Sequence, residues 1–133
     1  MKTVDTFSGS VIHGDKIGRT IGFPTLNIAV NQGNTPEDGV YVVGVKMGEK
    51  HYVGIMSIGH RPTVAEQGGK TIEIHLLNVN KDCYNAEIEV IPLVFIRPNE
   101  KFSSIGELKC QIEKDKIFAE KYLKSGNHFC KIV

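Results

Sequence analysis

A chain of 133 residues, 41% apolar and 23% charged, has the size and composition of one ordinary soluble domain with a single core. Its net charge of +1, with sixteen Lys and Arg spread along the chain, gives no electrostatic ground for nucleic acid or an anionic membrane as partner. No apolar run approaches the ~20 residues that span a bilayer, and the N-terminal MKTVDTFSGS lacks the apolar core of a signal peptide. The expectation is a cytoplasmic single domain over residues 1–133. Cys83, Cys110 and Cys130 are odd in number and show no Cys-x-x-Cys spacing, which disfavours zinc and disulfides and predicts reduced thiols.

Fourteen glycines, five prolines and short β-branched runs predict a mainly β protein rich in turns. TFSGSVIH is the first strand, followed by an irregular glycine loop and then the short strand LNIAV, closed by NQGNTPEDG. VYVVGVKM and HYVGIMSIG flank Gly48 and Glu49, the pattern of a hairpin. RPTVAEQGGK reads as a loop. TIEIHLLN and AEIEVIPLVFIR are expected to pair across NKDCYN as a second hairpin, with Pro92 confined to an edge or a bulge because it has no N–H to donate.

The period then changes. Ser104 and Glu107 form a Ser-x-x-Glu capping box. Ile105, Leu108, Ile112, Ala119 and Leu123 recur at helical spacing, predicting a helix of about 18 residues that ends near Gly126. Several antiparallel strands and one late helix suggest a small closed or half-closed barrel.

Chemistry is concentrated in a few places. In TIEIHLL the strand period sends Ile72, Ile74 and Leu76 to one face and Thr71, Glu73 and His75 to the other. Those three form either a plain polar face in water or a general base with orienting neighbours. In GRTIGFPTLN, preceded by HGDKI, Gly14, Gly18 and Gly22 fall four apart. They either permit positive φ in a long loop or let backbone N–H groups reach phosphate oxygens, with Lys16 and Arg19 adding charge. No Gly-Lys-Ser/Thr follows, so this is not a P-loop.

Thr25 and Asn27 share a face if the strand has begun, and offer two neutral oxygen ligands. They suit Mg²⁺ only where a nucleotide brings the charge; otherwise they are a Pro-Thr turn with a local hydrogen bond. Asp115 falls on the apolar stripe of the helix and needs a partner or a ligand. Arg97 and Phe102 could pack on a flat ligand, or Arg97 could be an exposed residue after a strand.

In order along the chain, GSVIHGDKIGRTIGFPTLN, DGVYVVGV, SIGHRPTV, TIEIHLLN, DCYN, FIRP and LKCQIEKD together resemble the riboflavin kinase family. Pro-Thr-x-Asn behind a glycine loop, with Glu-x-His on a later strand, is specific as a set. The resemblance implies a six-stranded antiparallel Greek-key barrel with a C-terminal helix. It implies transfer of the ATP γ-phosphoryl to the 5′-hydroxyl of riboflavin, giving FMN and ADP, with Mg²⁺ entering alongside ATP and no tightly bound organic cofactor. By that similarity Thr25 and Asn27 bind Mg²⁺ and nucleotide phosphates, while Gly14, Lys16, Gly18 and Arg19 form a flap over ATP. Glu73 is the base, and the stretch from Arg97 through Phe102 and Leu108 to Asp115 closes over the flavin.

Departures from the family pattern are Leu26 for Ala, Asn78 for Asp and Asn85 for Gly. Leu26 should point away from the Thr25/Asn27 face, and Asn85 can take the left-handed backbone almost as Gly does. SIGH lacks the first His of a His-x-Gly-His nucleotidyltransferase motif, so FMN and not FAD is the expected product, from a monomer. The alternative is a flavin-binding sensor barrel without catalysis. A nucleic-acid-binding barrel would need a basic groove with aromatics, which the charge and the lack of Trp disfavour.

Overall fold

The computed structural model describes residues 6–12, 25–60, 70–77 and 85–124. Among these residues six strands, β1 (Phe7–Ile12), β2 (Leu26–Gly33), β3 (Gly39–Met47), β4 (Lys50–His60), β5 (Lys70–Leu76) and β6 (Glu87–Arg97), precede one helix, α1 (Ile105–Lys124). The strands close into a barrel in the order β1-β2-β5-β4-β3-β6, every neighbouring pair antiparallel. Three hairpin-ordered strands, β3, β4 and β5, have β6 returning beside β3, which is the Greek-key arrangement.

Alternation builds the core. Leu26, Ile28, Tyr41, Val43, Val45, Met56, Ile58, Ile72, Ile74 and Leu76 fill the barrel with Phe7, Val11, Ile88 and Val90. Each fully buried Val, Ile or Phe contributes roughly 1.5–3 kcal/mol relative to exposure. Leu26 joins this interior, so the bulkier residue at that position affects packing and leaves the outward Asn27 face intact.

The first hairpin forms as expected. Met47 pairs with Lys50 around Gly48 and Glu49. Gly48 has φ +64, the conformation that a type II′ turn demands at its first central position. Asn85 likewise takes φ 69, the left-handed role that Gly would fill. Its N–H donates to Val11 O at 2.9 Å, anchoring the entry to β6 on β1.

The second expected hairpin does not form. A strand has two edges, and both edges of β5 are occupied, by β2 and β4; β6 pairs with β3 and β1 instead. One boundary also differs, and Pro92 takes the bulge expected of it. β2 continues through Asn31, Gln32 and Gly33: Gln32 and Gly33 pair with Ser8 and Phe7 despite their polarity, while Asn31 falls at a register shift and its Nδ2 donates to Ser10 Oγ at 3.1 Å. Pro92 sits opposite Val43 where the β3–β6 register slips, a bulge that accommodates a residue with no N–H.

The helix starts at its capping box. Ser104 Oγ accepts from Glu107 N at 3.1 Å, and Glu107 Oε1 accepts from Ser103 N at 3.1 Å. The reciprocal bond thus falls one residue before the cap. Those Ser103 bonds hold the Glu107 carboxyl below the usual carboxylate range. Its contribution is therefore present above the ordinary carboxylate pKa and is lost as pH falls through the lowered folded value. Ser104→Ala is expected to cost about 1 kcal/mol of stability, as removal of an N-cap hydroxyl does, read from the midpoint of urea unfolding.

Ala119, Tyr122 and Leu123 pack the far half of α1 on Val40, Val42, Val53 and Ile55, which lie on the outside of the barrel. Ile105 is exposed, because the first turn extends past the barrel wall and only the later part of the stripe meets apolar surface.

Candidate active site

The near half of α1 stands off the barrel, and the space beneath it is the site. The wall on the barrel side is set by register. Asn27 pairs with Glu73, Glu73 with Ser57, Ser57 with Val40, and Val40 with Arg97. One residue from each of five adjacent strands thus forms a single row across the barrel's outer face. At ~4.8 Å per strand, the row is about 19 Å long. Glu73 sits between Asn27 and Ser57 in it, half-buried between the inward Ile72 and Ile74.

Opposite this row, the segment after β6 and the first turns of α1 supply the second wall. Between them lies a cavity of about 280 Å³. Thr25, Ser57, Glu73 and His75 line it from the barrel, with Val40 and Ile55 as an apolar floor. Arg97, Asn99, Glu100, Phe102, Leu108, Ile112 and Asp115 close it from the other side. The shape and the mixture of apolar surface with a few fixed polar groups suit a small organic ligand.

Asp115 explains its place on an apolar stripe. Only 2% exposed, it accepts a two-point bond from Arg97, Nε to Oδ1 at 3.0 Å and Nη2 to Oδ2 at 2.8 Å. Gln111 Nε2 adds a third bond to Oδ1 at 3.0 Å. A planar guanidinium matches a carboxylate in this way. Arg97 Nη1 also donates to Pro98 O at 3.2 Å, and its guanidinium carbon lies 6.0 Å from the centre of the Phe102 ring, a cation–π contact. These bonds fasten α1 to the end of β6 at the edge of the cavity.

The structure therefore brings Thr25, Glu73, Arg97, Phe102, Leu108 and Asp115 to one cavity, with Asn27 beside Glu73 in the row. Gly14, Lys16, Gly18 and Arg19 lie outside the described residues, as do Cys83 and Cys130. Cys110 is a free, exposed thiol. No periodic signal marks Ser57 or Asn99, whose roles come from lateral register and from the loop after β6, while Gln111 reaches Asp115 from one turn earlier on α1. Among the described residues no cluster of three or more His, Cys, Asp or Glu could hold a metal. The neutral donors Thr25 and Asn27 beside a carboxylate fit an ion that arrives with phosphate oxygens rather than a dedicated cage.

A small closed barrel with an outer-face carboxylate over a ligand cavity is the class defined by this fold and site. The flavokinase model, described as riboflavin kinase, matches residues 2–123. The bifunctional riboflavin kinase/FMN adenylyltransferase of Escherichia coli K12 is 45% identical over 116 residues, which is 86% of this chain and 37% of that protein. The protein of the same name from Bacillus subtilis is 42% identical over 120 residues, 88% of this chain and 38% of its own length. The chain thus spans a little over a third of the curated relatives it matches.

Among solved structures, a Streptococcus pneumoniae protein named a macrolide-efflux protein superposes with TM-score 0.80 at 33% identity, over 86% of this chain and 38% of that one. Riboflavin kinase from Trypanosoma brucei superposes with TM-score 0.62 at 22% identity, over 92% and 82%, a likeness of fold. The chain belongs to the riboflavin kinase (flavokinase) family.

Proposed function

We propose that this domain is a riboflavin kinase, transferring the γ-phosphoryl of ATP to the 5′-hydroxyl of riboflavin to give FMN and ADP. The observation that carries the reading is Glu73, half-buried between Asn27 and Ser57 in the five-strand row and lining a cavity bounded by apolar floor and helix, in a chain of this family. Phosphoryl transfer asks mainly for positioning and charge stabilisation, plus one residue that orients the nucleophile. Glu73 accepts the proton of the 5′-hydroxyl as its oxygen bonds to the γ-phosphorus and the bond from that phosphorus to the β–γ bridging oxygen breaks. ADP leaves with that bridging oxygen. Val40, Ile55, Phe102, Leu108 and Ile112 give the flat ring system an apolar slot that excludes water. Water is the competing acceptor in any phosphoryl transfer, so its exclusion matters.

Thr25 and Asn27 would hold the Mg²⁺ that accompanies ATP, and that ion, when bound, supplies charge neutralisation on the phosphates. Lys16 and Arg19, with Gly14 and Gly18, are assigned to the nucleotide side; Arg97, Phe102, Leu108 and Asp115 to the flavin side. A monomer is the expected state, and soluble small substrates fit a cytoplasmic enzyme.

Incubation with riboflavin and Mg-ATP, followed by chromatography, is expected to yield FMN. Riboflavin binding without FMN would favour a sensor barrel instead. Thr25→Ala is expected to raise the KM for Mg-ATP at least ~10-fold, the scale of one bond to a charged group, with a smaller change in riboflavin affinity. Equal loss on both substrates would remove Thr25 from the nucleotide side.

A further inference from the structure

The cavity's outer wall begins with residues 98–104, which have no regular secondary structure. Glu100 and Phe102 of this segment line the cavity, so its placement sets the cavity's width. Asn99 fastens it to the barrel. Its Nδ2 donates to Ile58 O at 2.7 Å, and its Oδ1 lies 3.5 Å from the Ser57 hydroxyl, a longer contact. The short amide bond fixes which end of the carboxamide faces which partner. Ser57 is the immediate neighbour of Glu73 in the row. Asn99 thus spans the two walls at the position beside the proposed base, with β3 between that position and the Arg97–Asp115 clamp.

We propose that Asn99 is a positioning residue for the flavin: by holding residues 98–104 against β4 it sets the ring slot between Phe102 and the barrel. The inference rests on the riboflavin kinase reading and concerns flavin affinity, not phosphate chemistry. Asn99 lies on the wall carrying Phe102 and Leu108, whereas Thr25 and Asn27 stand at the β2 side, so loss of the latch should separate the two substrates.

The test measures riboflavin affinity by flavin fluorescence and KM for Mg-ATP by FMN formation, for wild type, Asn99→Ala and Asn99→Asp. Both variants are expected to weaken riboflavin binding roughly fivefold, the scale of one net hydrogen bond, with the KM for Mg-ATP within about twofold. Asn99→Asp keeps the shape but has no proton for Ile58 O, so it should be no better than Asn99→Ala. Wild-type riboflavin affinity in Asn99→Asp would overturn the latch, as would parallel losses for both substrates. A wild-type chain that bound no riboflavin would overturn the underlying reading and this inference with it.

Discussion

Replacing Glu73 with Gln is expected to lower turnover at least ~100-fold, the scale of general-base catalysis, while riboflavin affinity stays within about threefold of wild type. The substitution is nearly isosteric and sits on an outward position of β5, with the core-facing Ile72 and Ile74 untouched. On the proposed mechanism it removes the basic carboxylate that takes the hydroxyl proton and leaves the apolar slot as it was. The expected signature is a fall in kcat and in kcat/KM together, the mark of an interaction made in the transition state. Steady-state FMN formation and a fluorescence titration check the two halves. Unchanged turnover would take the base role away from Glu73.

The second large effect is on stability. Asp115→Asn is expected to cost about 3–5 kcal/mol, the usual result of removing one partner from a buried ion pair. Asp115 is 2% exposed and the Arg97 side chain 15%, so the guanidinium left behind has little water to turn to. The carboxamide keeps the volume but brings N–H donors where Arg97 and Gln111 already donate. Urea denaturation followed by circular dichroism gives the number. A loss below ~1 kcal/mol, the range of exposed pairs, would mean that the clamp is solvated in solution. Because the same bonds hold α1 over the cavity, riboflavin affinity should fall as well at temperatures where the variant is folded.

The features that follow from local pattern were legible in the sequence. Period two placed Glu73 outward on β5, Gly48 marked the β3–β4 turn, and Ser104 with Glu107 marked the start of α1. The partners of β5 and β6 are not legible locally, because two apolar runs joined by a short polar stretch look like a hairpin whichever edges they finally occupy. Strand partner choice is decided by closure of the whole barrel, and that information is spread over the chain. The site shows the same division. Thr25, Glu73, Arg97 and Asp115 could each be named from residue type, local setting or family likeness. Only register put Ser57 between Glu73 and Val40, and only the fold gave Asp115 its three donors.

The five-strand row has a consequence for the growing chain. β6 is the last of the described strands in chain order, and until it docks, β1 and β3 each present an open edge able to recruit a foreign strand. The same docking event covers both edges and carries Arg97 to the end of the row that already holds Glu73. Protection of both edges and completion of the row beside the cavity therefore arrive together, in one docking step. A chain truncated before residue 87 would keep both edges open and lack Arg97.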